Sequence, residues 1–225
     1  KLNKLFKRLN KWQIRKTPLG FYLFPNVYIM RLTIVLCITF FMLSKDLGYL
    51  GFSENNFSLS LISGSLLGFL SFFVMLKRSG ISLKTGLKGF KILFSENPLG
   101  FVVYSLFLLL CGGLIEELIF RGFFVKTCIE VFGIVGIVVA SAINILWHLP
   151  TWYSYFKEPE IYNMPKVDSP MMGSLRYALH VFPFAIILSI LFYLTDNLAG
   201  PMIAHFLSDY SGYSIQKIKL NKTPY

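Results

Sequence analysis

Acidic residues are scarce in this chain: 11 Asp and Glu stand against 22 Lys and Arg in 225 residues, and charged residues of both signs make up only 15%. A soluble domain of this length carries nearer a quarter charged residues, so a water-facing globule is excluded as the class. Cysteine is scarce too. Cys37, Cys111 and Cys128 lie in or beside apolar runs at unrelated spacings, which argues for small core residues and against disulfides or a metal site. The basic start is followed by an apolar run without a small-residue cleavage pattern, so that run is expected to stay as an anchor.

Apolar residues dominate instead: 55% hydrophobic, 23 Phe, and a mean hydropathy of +0.61. The expected fold class is all-α, a polytopic transmembrane helical bundle of one domain with about six spans plus an N-terminal amphipathic helix. The net charge of +11 does not point to nucleic acid, because the basic residues sit between apolar runs and form no single face.

Residues 1–16 hold seven basic and no acidic side chains with Leu2, Leu5, Phe6, Leu9, Trp12 and Ile14 interleaved, the pattern of an amphipathic helix on an anionic lipid surface. The segment 1–24 is assigned to that surface role, 25–216 to the transmembrane domain, and 217–225 to a basic tail. Spans are expected at 25–43, with Arg31 close enough to an end to snorkel, and at 57–76. A basic connection follows at 77–91, then a long helix from 99 to 131, punctuation at Gly133 and Gly136, and a fourth helix to 156 bent or broken at Pro150. Prolines 159, 165 and 170 make 157–174 a loop, and spans at 175–194 and from the Gly200-Pro201 turn to 215 complete the set. Eighteen of the 22 basic residues fall on one side of this layout, which predicts both termini in the cytoplasm.

Charge enters the apolar helices at few places. Glu116, Glu117 and Arg121 interrupt a run that is uncharged from 101 to 110 and resumes with Phe123, Phe124 and Val125. Such groups survive at depth when they are paired or functional. On a helix Glu117 and Arg121 share a face and form an ion pair, while Glu116 is rotated about 100° away. His148 follows Asn144 by four residues, and Asp209 follows His205 by four. Glu116 and His148 are each 16 residues from Phe132, about 24 Å of helix on either arm of a hairpin, so they are expected at one depth. His180 is taken as an ordinary hydrogen-bonded histidine. A glutamate and a histidine in a wet pocket activate water as a general base, with His205 and Asp209 binding the oxyanion. Alternatively Glu116, His148 and His205 hold Zn²⁺ with an open position for water, and the spacing does not separate the two.

Glu116-Glu117-x-x-x-Arg121, His148 closing a four-residue step, and His205-x-x-x-Asp209 resemble the three motifs of the CPBP family, the CAAX proteases and bacteriocin-processing enzymes. The resemblance covers residues 99–215. It implies an intramembrane endopeptidase in which Glu116 and His148 activate the water and His205 and Asp209 stabilise the oxyanion. It further implies a membrane-associated peptide or small-protein substrate, with bacteriocin maturation or self-immunity in a bacterial cell membrane as the setting. The Lys-, Asn-, Ile- and Phe-rich usage fits an AT-rich bacterium, which makes a prenylated substrate improbable. Two positions depart from the pattern: Asn144 stands where the family has Phe, adding a polar group for substrate, and Asp209 where Asn is common. An ionised aspartate repels a developing oxyanion. A non-catalytic immunity protein that keeps the fold competes with the protease, and a proton-coupled transporter is weaker because no internal repeat is visible.

Overall fold

The computed structural model describes residues 48–96, 98–159, 164 and 166–222. The amphipathic segment and first span expected at 1–24 and 25–43, and the end of the basic tail, lie outside them. Among the described residues the chain is helical without strands.

Helix α1, Phe57–Arg78, buries Ser60, Gly64, Gly68, Phe72 and Leu76 at four-residue spacing, a single stripe of small residues ending in two large ones. Against that stripe lies the last helix, α7, Ala199–Lys222. A Cβ on Gly64 would collide with the Gly200 carbonyl, one on Gly68 would lie 2.7 Å from Leu207 Cβ, and Ser71 and Ser208 share a hydrogen bond at 2.9 Å. Small residues permit this approach of backbones, the source of helix association where no water is displaced. The Ser60 hydroxyl tightens the crossing: it donates to the Asn197 carbonyl (3.0 Å) and accepts from the Gly200 N–H (2.8 Å).

A short turn with Gly80 at φ 62 leads into α2, Leu83–Glu96, begun by Ser82, whose hydroxyl accepts the Thr85 N–H. Expected only as a basic connection, this segment is a helix. Its lysines and glycines hid an amphipathic pattern. The expected single helix over 99–131 divides into α3, Pro98–Phe107, two π-helical stretches, Leu108–Glu116 and Leu118–Val125, and α4, Lys126–Phe132. Wide π turns are rare and concentrate at functional sites. Glycines let the widened backbone sit against its neighbours: a Cβ on Gly113 would lie 3.3 Å from the Met202 carbonyl and one on Gly122 2.8 Å from that of Leu50.

Gly133 at φ 60 opens a 3₁₀ turn, Gly133–Val135, after which α5, Gly136–Lys157, returns along the same hairpin. Of the bend or break expected at Pro150 the break does not occur, because α5 continues through it. Helix α6, Pro170–Thr195, starts earlier than the expected 175, because Ser169 accepts the Met172 N–H and Pro170 sits in the first turn. Here the proline was a helix start and not a loop. Likewise α7 runs past the expected end at 215 to Lys222.

Three stretches are long and apolar enough to cross a membrane, Phe57–Arg78, Leu108–Lys157 and Pro170–Thr195, the second folding back at Gly133. Helix α7 is not among them. Val125, Cys128, Ile137, Ala140, Phe192 and Leu198 make the core where the hairpin meets α6 and the α6–α7 turn, and Cys128 is a free, buried core residue as expected. At the same end the Tyr49 hydroxyl donates to Glu130 at 2.6 Å; burial first and this bond second push its pKa up to about 12.

Candidate active site

The first π stretch carries Glu116, its end leads to Glu117, and the second π stretch carries Arg121. Glu117 is fully buried and Arg121 is 2% exposed; the guanidinium donates from Nη1 to Glu117 Oε1 at 3.0 Å and from Nη2 to the Ala185 carbonyl of α6 at 3.2 Å. The expected ion pair is thus present, and it ties the hairpin to α6. His205 joins it, with Nδ1 2.6 Å from the same Glu117 Oε1. A carboxylate only accepts, so Nδ1 carries the proton and the imidazole offers Nε2 to its other side. There Asp209 Oδ2 lies 3.7 Å away, 3.4 Å from where a Cβ on Gly112 would be.

Glu116 points away from this knot. Its Oε2 is 3.3 Å from His148 Nε2, with side chains 17% and 18% exposed. The two meet at one depth, as the hairpin spacing requires. Rings fix the histidine: Trp152, one turn along α5, stacks on it at 5.4 Å and 18°, and Phe120 approaches from the other helix at 6.4 Å. Trp152 also meets Tyr177 of α6 edge-on at 5.1 Å, and Tyr177 lies within electrostatic reach of Asp209. These two aromatics were not singled out from the sequence. The four-residue step from His148 to Trp152 was the available signal, but Tyr177 on a separate helix gave none.

The depth of His205 follows from a contact at the other end. Lys126 Nζ and Asp196 Oδ1 are 2.6 Å apart, Glu117 lies nine residues before Lys126, and His205 nine after Asp196. Equal lengths of roughly a dozen ångströms from one shared level bring the two side chains together. The hairpin of α4 and α5 simply extends beyond the α6–α7 turn. Of the remaining expected residues, Asn144 is buried on α5 one turn from His148 and makes no hydrogen bond to the other six. His180 is exposed on α6, and the expected neighbour bond does not form among the described residues.

A family model described as Type II CAAX prenyl endopeptidase Rce1-like matches residues 98–211, half of the chain. The chain belongs to this family. It is therefore a membrane CAAX-type endopeptidase, an intramembrane protease by family, acting on a peptide or protein substrate. The matched range includes every residue of the cluster from Glu116 to Asp209. No curated protein and no solved structure matches the chain.

Of the three residues expected as zinc ligands in the alternative reading, Glu116 and His148 are in contact and His205 keeps Nε2 free of Glu117. Among the described residues no group of three His, Cys, Asp or Glu side chains stands at metal-ligand spacing.

Proposed function

We propose that this protease hydrolyses a peptide bond of a membrane-associated, non-prenylated peptide, using water activated by Glu116 and His148. The observation that carries the reading is the contact of a partly exposed carboxylate with an imidazole stacked on Trp152 and approached by Phe120. His148 donates Nε2–H toward Glu116 and holds the carboxylate on the side where water enters. Glu116 takes a proton from the water, the hydroxide oxygen bonds to the scissile carbonyl carbon, and the carbonyl electrons move onto oxygen. When the C–N bond breaks, the same proton passes to the departing amine. Each step uses the chain's own residues.

His205 lies beside this centre as the oxyanion donor. With Nδ1 committed to Glu117, its Nε2 donates a hydrogen bond only when the ring is an imidazolium. Asp209 supports that state by its negative charge, which answers the repulsion expected of a carboxylate there: it acts through His205 and not on the oxyanion itself. Glu117 and Arg121 position His205. Asn144 lies on the face of α5 that also carries His148 and is assigned to substrate contact.

The setting proposed is a bacterial cell membrane with both termini in the cytoplasm, supported by the basic bias of the loops, and the role is bacteriocin or peptide maturation or self-immunity. Asp209 in place of the usual asparagine favours one competing reading, an immunity protein that binds a peptide without cutting it. Mass spectrometry of membrane peptides from cells carrying wild-type or Glu116→Gln protein decides. A peptide left uncut only in the variant supports hydrolysis; full biological activity in both Glu116→Gln and His148→Ala, with normal folding, overturns it.

A further inference from the structure

Helix α2 has three faces, which the 100° step of a helix separates. Gly86 and Gly89 form the inner face: a Cβ on Gly86 would lie 2.5 Å from Leu76 and one on Gly89 2.5 Å from the Ser214 hydroxyl, which itself donates to the Gly86 carbonyl at 3.2 Å. Leu83, Leu87 and Phe94 are exposed within about 40° of one another. Lys84, Lys88 and Lys91, also exposed, occupy the adjoining flank about 100° further round. Lys77 and Arg78 end α1 immediately before, where the exposed apolar surface of that membrane-length helix, Leu66, Phe69, Leu70, Phe73 and Val74, stops. Among the described residues none of these five cations has a carboxylate partner.

We propose that α2 lies in the membrane interface and binds anionic phospholipid headgroups with Lys84, Lys88 and Lys91 while Leu83, Leu87 and Phe94 enter the acyl boundary. Charge selects this occupant. Nucleic acid would take the lysines and leave two leucines and a phenylalanine in water. A second copy packed face to face would set lysines against lysines. A lipid surface satisfies both faces, as amphipathic interfacial helices do. The assignment also sets a depth: Ser214 touches α2, and His205 is nine residues before it on α7, so the catalytic level lies at most about 14 Å inside the headgroup plane.

The test uses the full chain with its three cysteines replaced by alanine and a nitroxide on Leu87→Cys, reconstituted in vesicles of pure phosphatidylcholine or of equal parts phosphatidylcholine and phosphatidylglycerol. Oxygen should relax the label more strongly than a water-soluble nickel chelate does. In parallel, the lipid retained by the unlabelled purified chain is weighed by mass spectrometry. Wild type should retain phosphatidylglycerol over phosphatidylcholine, and Lys84→Gln, Lys88→Gln and Lys91→Gln should each reduce that preference about fivefold at low salt. A label in water, spin–spin broadening from a second copy, or an unchanged lipid preference when Lys84→Gln, Lys88→Gln and Lys91→Gln are combined overturns the proposal.

Discussion

Glu117 is fully buried and gives one oxygen to both Arg121 and His205, whereas Glu116, one residue earlier, is 17% exposed and faces His148. Adjacent carboxylates thus sit in opposite surroundings. The first is neutralised within a closed knot that spans three helices, where it holds geometry and is shut off from substrate. The second keeps an accessible face, which proton transfer to a water requires. Depth and pairing together, and not the mere presence of acid in an apolar run, separate the sealed carboxylate from the open one to which the proposed chemistry is assigned.

The sharpest way to break this comparison is Glu116→Gln, which should cut peptide hydrolysis by roughly 10²–10⁴-fold while thermal unfolding in detergent shifts little. A variant that loses fold and activity together would place Glu116 in the knot. Arg121→Met should do the reverse: it removes one of the two groups that hold the buried Glu117 carboxylate and leaves His205 alone, and unfolding measurements should show a loss of about 3–5 kcal/mol. Trp152→Leu removes the stack under His148, and a drop in turnover of up to about tenfold with little change in stability would mark the ring as a positioner of the imidazole. Lys126→Gln is the mildest. Its partner Asp196 is 58% exposed, so stability should fall by no more than about 1 kcal/mol, and a larger effect in a melting curve would mean that this pair, more than the packing of α1 on α7, sets the level of His205.

That packing is the part least visible in advance. Ser60, Gly64 and Gly68 looked like the unremarkable interior of a clean apolar span, yet they decide how closely α7 approaches. The Ser169-Pro170 start of α6 was misjudged because proline signals both loops and first turns, and only the capping bond distinguishes them. Two π stretches were invisible because no residue pattern announces an extra residue in a turn. In contrast, the Glu117–Arg121 pair and the level shared by Glu116 and His148 were legible, since both rest on helical repeat and on counting residues from a glycine turn.

Composition and periodicity by themselves determined that the chain is helical and membrane-length in its apolar stretches, because buried backbone in lipid has no other way to satisfy its hydrogen bonds. They also determined which charged residues stand inside those stretches. Only the tertiary structure decided which carboxylate is sealed and which is open, and brought His205 onto Glu117. Such pairings depend on how closely neighbouring backbones pack and where their turns lock together, and those distances are set between helices and not along any one of them.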